Sequence, residues 1–133
     1  MTPWVWLDER DVRTIHERLL ALHGGAEGVR DAGLLESALA RPQQIAAYGD
    51  NTDVSDLAAA YTAGVVKNHP FIDGNKRTGF VLGILFLELN GVRFTGSEES
   101  STQAVIDLAA AKLDIAGYAA FLRENVTPLS RLP

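Results

Sequence analysis

The chain of 133 residues contains no cysteine, which excludes disulfide bonds, thiolate nucleophiles and cysteine-based metal sites. It also lacks a long apolar run, because its most hydrophobic segment, residues 79–87, is far shorter than the roughly 20 residues that span a membrane. The first residues, MTPWVWLDERD, have neither the basic start nor the apolar stretch of a signal peptide. We therefore expect a cytoplasmic protein with no membrane partner.

Basic charge is scarce as well. The sequence has 12 lysines and arginines against 17 aspartates and glutamates, a formal net charge of −5. Nucleic-acid-binding proteins usually carry a basic face, because neutralised phosphates supply much of their affinity, so we expect no direct nucleic-acid partner. Lys67, Lys76 and Arg77 nevertheless lie close together, with Asp73 as the one acidic residue between them. This local excess of positive charge suits a small anionic ligand better than a polyanion.

Hydrophobic spacing predicts an all-α fold. The sequence is 47% hydrophobic with only 5 prolines, and its length indicates one domain over residues 1–133, with a core over about 8–125 and a short C-terminal tail. Apolar residues recur at helical intervals, and no run of any length alternates as a strand would. The predicted helices cover about residues 8–23, 34–40, 55–68, 75–89, 98–111 and 114–125.

Two of these predictions bear on the site. Arg41-Pro42 is expected to end the second helix, because the residue before a proline disfavours helical geometry, and residues 43–54 are interpreted as an irregular flap. The helix at 75–89 has almost no polar face and should be central, with Gly79 and Gly83 allowing a neighbour to approach closely.

The segment NHPFIDGNKRTGF, residues 68–80, concentrates reactive side chains around the start of that central helix. The first backbone N–H groups of a helix lack partners within the helix and carry partial positive charge. Gly74 can adopt the positive φ of a tight turn, while Lys76 and Arg77 add full charges where they disfavour the helix itself. The sequence therefore predicts a phosphate-binding cradle at this helix start.

Two residues before the cradle can supply chemistry. Asp73 can hold Mg²⁺, which prefers one or two carboxylates together with phosphate oxygens, and His69 can accept a proton from an attacking hydroxyl. Each residue alone is more often structural, but their combination is typical of phosphoryl or nucleotidyl transfer. The segment is not a P-loop, because it lacks the Gly-Lys-Ser/Thr ending and follows no strand.

The run HPFIDGNKR resembles the signature of the Fic/Doc superfamily, His-x-Phe-x-Asp/Glu-Gly/Ala-Asn-x-Arg. The segments GVRDAGLLESALARPQ and FLELNG, with the tyrosine at position 48, resemble the Doc toxin branch, and the similarity spans about residues 8–95. The resemblance implies a helical Fic/Doc bundle and a toxin of a type II toxin-antitoxin system. That toxin would be a kinase that moves the γ-phosphate of ATP onto a threonine of elongation factor Tu and arrests translation.

The resemblance also implies ATP and Mg²⁺ as cofactors, a Phd-like antitoxin as partner, and a role in aligning the target peptide for the flap around residues 43–52. It assigns roles to residues of the loop by position. The implied assignments are His69 as general base, Asp73 as metal ligand, His69, Lys76 and Arg77 as the catalytic set, and Lys67, Gly74, Asn75, Lys76 and Arg77 as phosphate or nucleotide contacts.

Departures from the adenylyl-transferring Fic pattern separate the possible reactions. Lys76 stands where those enzymes have a second glycine, and Phe80 stands where they have a final arginine. The lysine fills space that another phosphate would use, and the missing arginine removes a clamp for it. Both changes favour the Doc-like kinase, while an AMP transferase and a catalytically silent antitoxin-binding module remain open as alternatives.

Overall fold

A computed structural model of the chain describes residues 4–49 and 51–129, and within these ranges the fold is mostly helical, as predicted. None of the helices in the described ranges is long and apolar enough to cross a membrane. The elements in chain order are α1 Glu9–His23, α2 Ala32–Tyr48, α3 Val54–Asn68, α4 Asn75–Leu89, β1 Val92–Phe94, α5 Glu98–Ala109, α6 Ile115–Glu124 and β2 Val126–Pro128.

Most helices begin at a side-chain cap, in which an oxygen accepts a hydrogen bond from a backbone N–H group of the first turn. In α3, Asp53 and Asp56 form a reciprocal capping box. The start of α4 differs, because its N-cap residue is Gly74 and no side chain caps it. The capping residues of the other helices are Asp8, Asp31, Asp53, Ser97 and Asp114.

The core is built around α3, which packs against α2, α4, α5 and α6. Helix α4 is also internal, as the sequence predicted, but α3 is the more enclosed of the two. The predicted close approach at the glycine pair is confirmed: a β-carbon on Gly79 would lie 3.1 Å from Thr62 O, and one on Gly83 would lie 3.1 Å from Ala58 O. The two helices therefore pack with their backbones in close contact at these glycines. This packing places the start of α4 beside the end of α3.

The predicted end of the second helix at Pro42 is wrong. Helix α2 continues through Pro42 to Tyr48, so the first half of the expected flap is helical, while Asp50 lies outside the described residues. Proline removes one hydrogen bond from a helix and disfavours it by about 3 kcal/mol. Here Pro42 is buried, and Ile45 and Ala46 pack against the core. Tertiary packing of the following turns thus outweighs the local penalty.

The predicted all-α fold is confirmed, but the prediction omitted one short strand pair. Strands β1 and β2 form an antiparallel pair in which Arg93 lies opposite Thr127. Part of the expected C-terminal tail is therefore tied to the chain segment that follows α4, and residues 130–133 lie outside the described ranges. Each strand has three residues, too few to show the alternation by which strands are recognised in a sequence.

Tyr118 in α6 makes the free energy of unfolding depend on pH in the alkaline range. Its hydroxyl is buried and forms no hydrogen bond of good geometry among the described residues. Burial raises its pKa to about 12, although the nearby Thr62 side chain offsets part of that rise. The folded state therefore holds the phenol proton more tightly than the unfolded state does. The resulting stabilisation is fully present below the pKa of 10 that the tyrosine has in the unfolded chain, and it is lost as pH rises through 12. It amounts to roughly 3 kcal/mol in the free energy of unfolding.

We predict that Tyr118→Phe removes this part of the alkaline loss and is at least as stable as the unmodified protein at pH 7, because an unpaired buried hydroxyl destabilises the folded state. Denaturant unfolding at pH 7, 10 and 11.5 measures both effects. Tyr48→Phe is the matched control, since Tyr48 is 90% exposed and should change neither. Identical pH profiles for the two variants would contradict the prediction. Tyr61, whose pKa burial also raises, should leave a residual alkaline loss in both.

Candidate active site

The candidate site lies where α3 ends and α4 begins, in the loop that joins them. His69 directly follows α3 with φ 54° and ψ 51°, a left-handed conformation that residues other than glycine seldom adopt. Its backbone N–H donates to Val65 O at 3.1 Å, and its side chain is exposed. The structure therefore turns the chain sharply at the imidazole predicted to be the base and leaves that imidazole accessible.

Phe71 anchors the loop in the core. It is 0% exposed, and the ring of His16 stacks on it with centroids 3.8 Å apart. The Nε2–H group of His16 donates to Asp73 O at 2.8 Å. His16 is thus a structural residue that joins α1 to the loop, and it fixes the position of the backbone that carries Asp73.

The side chain of Asn75 points into the loop rather than toward a ligand. It is 3% exposed; its Oδ1 accepts from Phe71 N–H at 3.0 Å, and its Nδ2 donates to Phe71 O at 2.9 Å. These two contacts fix the orientation of the amide and direct Nδ2 at Nδ1 of His69, 3.2 Å away. A neutral His69 ring that accepts at Nδ1 carries its proton on Nε2. Only the backbone N–H of Asn75 remains for an anion hole.

Asp73 is exposed, and each of its carboxylate oxygens accepts one backbone hydrogen bond. The partners are Ala26 N–H at 3.1 Å and Gly74 N–H at 2.9 Å. These bonds, first the one from Ala26 and then the one from Gly74, hold the pKa of Asp73 below its usual value, and the charge of Arg77 lowers it further. Asp73 is therefore an anion at neutral pH, and each oxygen keeps a lone pair for another partner.

The start of α4 has the features of the predicted cradle. Gly74 has φ 77°, as a tight turn requires, and the first helical hydrogen bond runs from Thr78 N–H to Gly74 O at 2.9 Å. The N–H groups of residues 75–77 precede that bond and no side chain caps them. Lys76 and Arg77 are exposed, and the ion pairs within the described ranges are formed by other cations. Neither Lys76 nor Arg77 is therefore in an ion pair within those ranges, although Asp73 lies close enough to interact with the charge of Arg77.

Lys67 lies on the other side of the loop, in the last turn of α3, and is exposed. Among the described residues, no hydrogen bond or ion pair connects it to the cradle. A cation in the last turn of a helix favours the helix dipole. The structure therefore gives Lys67 a role in helix stability, and its predicted phosphate contact stays a prediction.

A groove of about 540 Å³ extends from the cradle along α4. Lys76 and Arg77 lie at its edge, and Phe80 packs edge-on against Phe94 in its wall, with centroids 5.9 Å apart. Its lining is otherwise mainly apolar. The remaining lining residues are Leu19, His23, Val81, Ile84, Gly96, Glu98, Ser101, Thr102, Val105 and Ile106.

The segment between α1 and α2 pairs with the loop that carries the site. Val29 pairs with Phe71 in an isolated antiparallel bridge, and Ile72 N–H donates to Gly28 O at 3.0 Å. Arg30, in the same segment, donates from its side chain to the end of α3. Arg30 carries no signal of a role at the site in the sequence, because the stretch GVRDAG indicates only a loop and a resemblance to a family segment.

The described residues contain no cluster of three or more histidine, aspartate or glutamate side chains that would form a metal site by themselves. A magnesium ion bound with a nucleotide needs fewer protein ligands, since phosphate oxygens and water complete its shell. Asp73, with one free lone pair on each oxygen, fits that limited requirement.

Comparison with known proteins identifies the family of the chain. The family model of the Fic/DOC family matches residues 6–87. The chain is 36% identical over 128 residues to the toxin Doc of Mycolicibacterium smegmatis, covering 86% of this chain and 94% of that protein. It is 29% identical over 117 residues to the protein kinase doc of Escherichia phage P1, covering 88% of this chain and 92% of that protein. The chain therefore belongs to the Fic/Doc family, in its Doc branch.

Proposed function

We propose that the protein is the toxin of a type II toxin-antitoxin system, a Mg-ATP-dependent kinase that phosphorylates a threonine hydroxyl of elongation factor Tu and so arrests translation. One observation carries the proposal: a left-handed turn and an uncapped helix start bring an imidazole, a carboxylate and two unpaired cations to a single exposed loop. The names of the two relatives, a protein kinase and a toxin, support it.

In the proposed reaction, His69 takes the proton of the attacking threonine hydroxyl. In the tautomer that accepts from Asn75 at Nδ1, Nε2 carries the proton. The base is then freed either by the other neutral tautomer, with Nε2 unprotonated, or by a turn of the ring about the Cβ–Cγ bond. The turn directs the unprotonated Nδ1 outward. Since His69 is exposed, core packing does not oppose it.

The start of α4 would hold the phosphate that is transferred. The backbone N–H groups of residues 75–77 supply hydrogen bonds, and Lys76 and Arg77 supply full charges that offset the charge of the phosphoryl oxygens. Phosphoryl transfer requires little covalent chemistry from a protein, so positioning and electrostatic stabilisation of this kind account for most of its catalysis.

Asp73 would hold the magnesium ion of bound Mg-ATP. When Mg-ATP is bound, the nucleotide supplies the phosphoryl group and the magnesium ion offsets part of the negative charge of that group. The contribution of the chain is a carboxylate that backbone hydrogen bonds keep ionised and fix in direction. The bond from Ala26 also connects this carboxylate to the segment between α1 and α2.

The labelling pattern of the product decides between the possible reactions. The purified protein is incubated with elongation factor Tu and ATP labelled at either the γ or the α phosphate, and the modified residue is located by mass spectrometry. We expect label from γ only, on a threonine. Label from α only would indicate nucleotidyl transfer and refute the kinase. No label from either would favour a silent binding module.

The presence of phenylalanine at position 80 favours a kinase over an AMP transferase. At this position a nucleotidyl transferase of the family pattern would carry an arginine, whereas here an aromatic ring packs against Phe94 in the wall of the groove. Within α4, the positive charge available for phosphates is therefore that of Lys76 and Arg77 in its first turn. A cradle of that size suits one terminal phosphoryl group.

We also propose that the groove along α4 binds a flexible segment of a Phd-like antitoxin. An apolar channel with cations at one edge suits an amphipathic helix that folds on binding and carries a carboxylate near Lys76 and Arg77. Such a segment would cover one side of the phosphate cradle. Binding and inhibition would therefore occur together.

Matched charge substitutions test the groove. Ile106 lines it and is 46% exposed, while Leu89 is 45% exposed and lies outside the lining. We predict that Ile106→Glu weakens binding of a Phd-like antitoxin by at least about tenfold, because a carboxylate would be buried without a partner. Leu89→Glu should leave the affinity unchanged. Isothermal titration calorimetry measures both, and equal affinities would contradict the proposed groove.

A further inference from the structure

Three consecutive carbonyl groups at the end of α3 accept hydrogen bonds from one short stretch of the chain. The side chain of Arg30 donates from Nε to His69 O at 2.7 Å and from Nη2 to Asn68 O at 2.9 Å. The backbone N–H groups of Arg30 and Asp31 donate to Pro70 O at 2.7 and 3.0 Å. Arg30 is therefore bound to the loop by both its side chain and its main chain.

The two carbonyls that the guanidinium contacts belong to the peptide groups on either side of the His69 Cα atom. The peptide group carrying Asn68 O sets φ of His69, and the one carrying His69 O sets ψ. A planar guanidinium holds two acceptors in a fixed relative geometry, which an ammonium group does not do. Arg30 thus acts on both dihedral angles of His69 and on the direction of its Cα–Cβ bond.

His69 needs such support because its conformation is unfavourable. With φ 54° it lies in the left-handed region, which disfavours residues other than glycine by about 1 kcal/mol or more and persists only where the surroundings fix it. The last carbonyls of α3 also carry partial negative charge and lack helical partners. The positive guanidinium satisfies two of these groups.

Within the described ranges, Arg30 forms no ion pair with a carboxylate. The neighbouring carboxylate, Asp31, is engaged with Leu34 N–H at 2.9 Å as the cap of α2. The contacts of the guanidinium within those ranges are therefore with the backbone on which His69 lies, at a distance of 39 residues in sequence.

We propose that Arg30 is a positioning residue, which holds His69 in the left-handed conformation and so directs its imidazole toward the attacking hydroxyl. It does not touch the reacting atoms. Its catalytic consequence rests on the proposed function, but its effect on the backbone of His69 does not. The two parts can therefore be tested separately.

The test compares Arg30→Ala and Arg30→Lys with Arg10→Ala, a control at an exposed arginine whose side chain makes no hydrogen bond within the described ranges. The first readout is the set of backbone ¹³C chemical shifts of residue 69 in the full-length protein. We expect them to move away from left-handed values in Arg30→Ala, to move partly in Arg30→Lys, and to stay unchanged in Arg10→Ala. Unchanged shifts in Arg30→Ala would overturn the proposal.

The second readout is the steady-state transfer of γ-label to elongation factor Tu. For Arg30→Ala we expect kcat to fall by at least about tenfold while KM for ATP stays within about twofold, since the phosphate cradle is on α4 and not on α3. Equal changes in kcat and KM, or none, would overturn the positioning role. If the unmodified protein transfers no γ-label, the proposed function fails, and the chemical shifts still decide whether Arg30 sets the conformation of His69.

Discussion

Replacing Gly83 by alanine should lower the free energy of unfolding by about 1 to 3 kcal/mol. The added β-carbon would overlap Thr62 Oγ1 and lie 3.1 Å from Ala58 O. Thr62 has little room to yield, because it is fully buried and its hydroxyl donates to Gly79 O at 2.8 Å. Overpacking in a core typically costs about 1–3 kcal/mol, and the disturbed hydrogen bond adds about 1, against roughly 1 gained in helix propensity.

Gly33→Ala is the matched control. Gly33 is also a helical glycine, but it is exposed, and a β-carbon there would lie 3.4 Å from its nearest neighbour, Asp31 Oδ1. We expect it to raise the free energy of unfolding by about 0.5 to 1 kcal/mol through helix propensity alone. Denaturant unfolding of both variants measures the difference. Equal stabilities would show that α3 and α4 do not approach as closely as the structure places them.

A third variant identifies the cause of the cost. In a Thr62→Ala background, the side-chain oxygen that Gly83→Ala would overlap is absent. The cost of Gly83→Ala should then be smaller than in the unmodified protein, because only the contact with Ala58 O remains. An unchanged cost would assign the whole effect to the backbone contact.

Helix α4 shows how much of a fold can be predicted when both ends of an element carry local signals. Gly74 precedes it, Asn90 and Gly91 follow it, and the predicted bounds of 75–89 are those that the structure has. The glycine pair in its interior correctly predicted a close neighbour. In each case the physical cause lies within a few residues of its effect, so the sequence alone is sufficient.

The errors have the opposite origin. Pro42 is a strong local signal for the end of a helix, but burial of residues on both sides of it against α3 and the rest of the core keeps α2 intact. The pairing of β1 with β2 joins segments separated by α5 and α6, and neither strand has a pattern of its own. Such features depend on tertiary contacts that a single sequence does not reveal.

The residues of the candidate site also fall into a local group, which the sequence predicts, and a group of distant contacts, which it does not. The side chains proposed for chemistry are adjacent in the run HPFIDGNKR and were identified from it. The groups that fix their geometry are distant in sequence: Arg30 contacts His69 over 39 residues, Ala26 contacts Asp73 over 47, and His16 contacts Asp73 over 57. The sequence therefore predicts what the site contains, and the fold is needed to learn what holds it in place.

Replacing His69 should separate activity from stability. We expect His69→Gly and His69→Ala each to lower γ-phosphate transfer by about 10² to 10⁴, the usual loss when a general base is removed. The free energy of unfolding should respond differently. Glycine adopts φ 54° without strain, whereas alanine keeps a β-carbon there, so His69→Ala should be less stable than His69→Gly by about 1 kcal/mol.

His69→Asn is the control that keeps a polar side chain, tolerates the left-handed conformation and cannot act as a base near neutral pH. It should be inactive and close to the unmodified protein in stability. Transfer is measured with γ-labelled ATP and elongation factor Tu, stability by denaturant unfolding, and toxicity by growth after induction. Full toxicity of all three variants would contradict the kinase and favour a protein that acts by binding alone. Loss of transfer together with retained or increased stability in His69→Gly would mean that a histidine in this left-handed turn opposes folding and is kept for catalysis. That relation is expected when backbone strain lies at an active site.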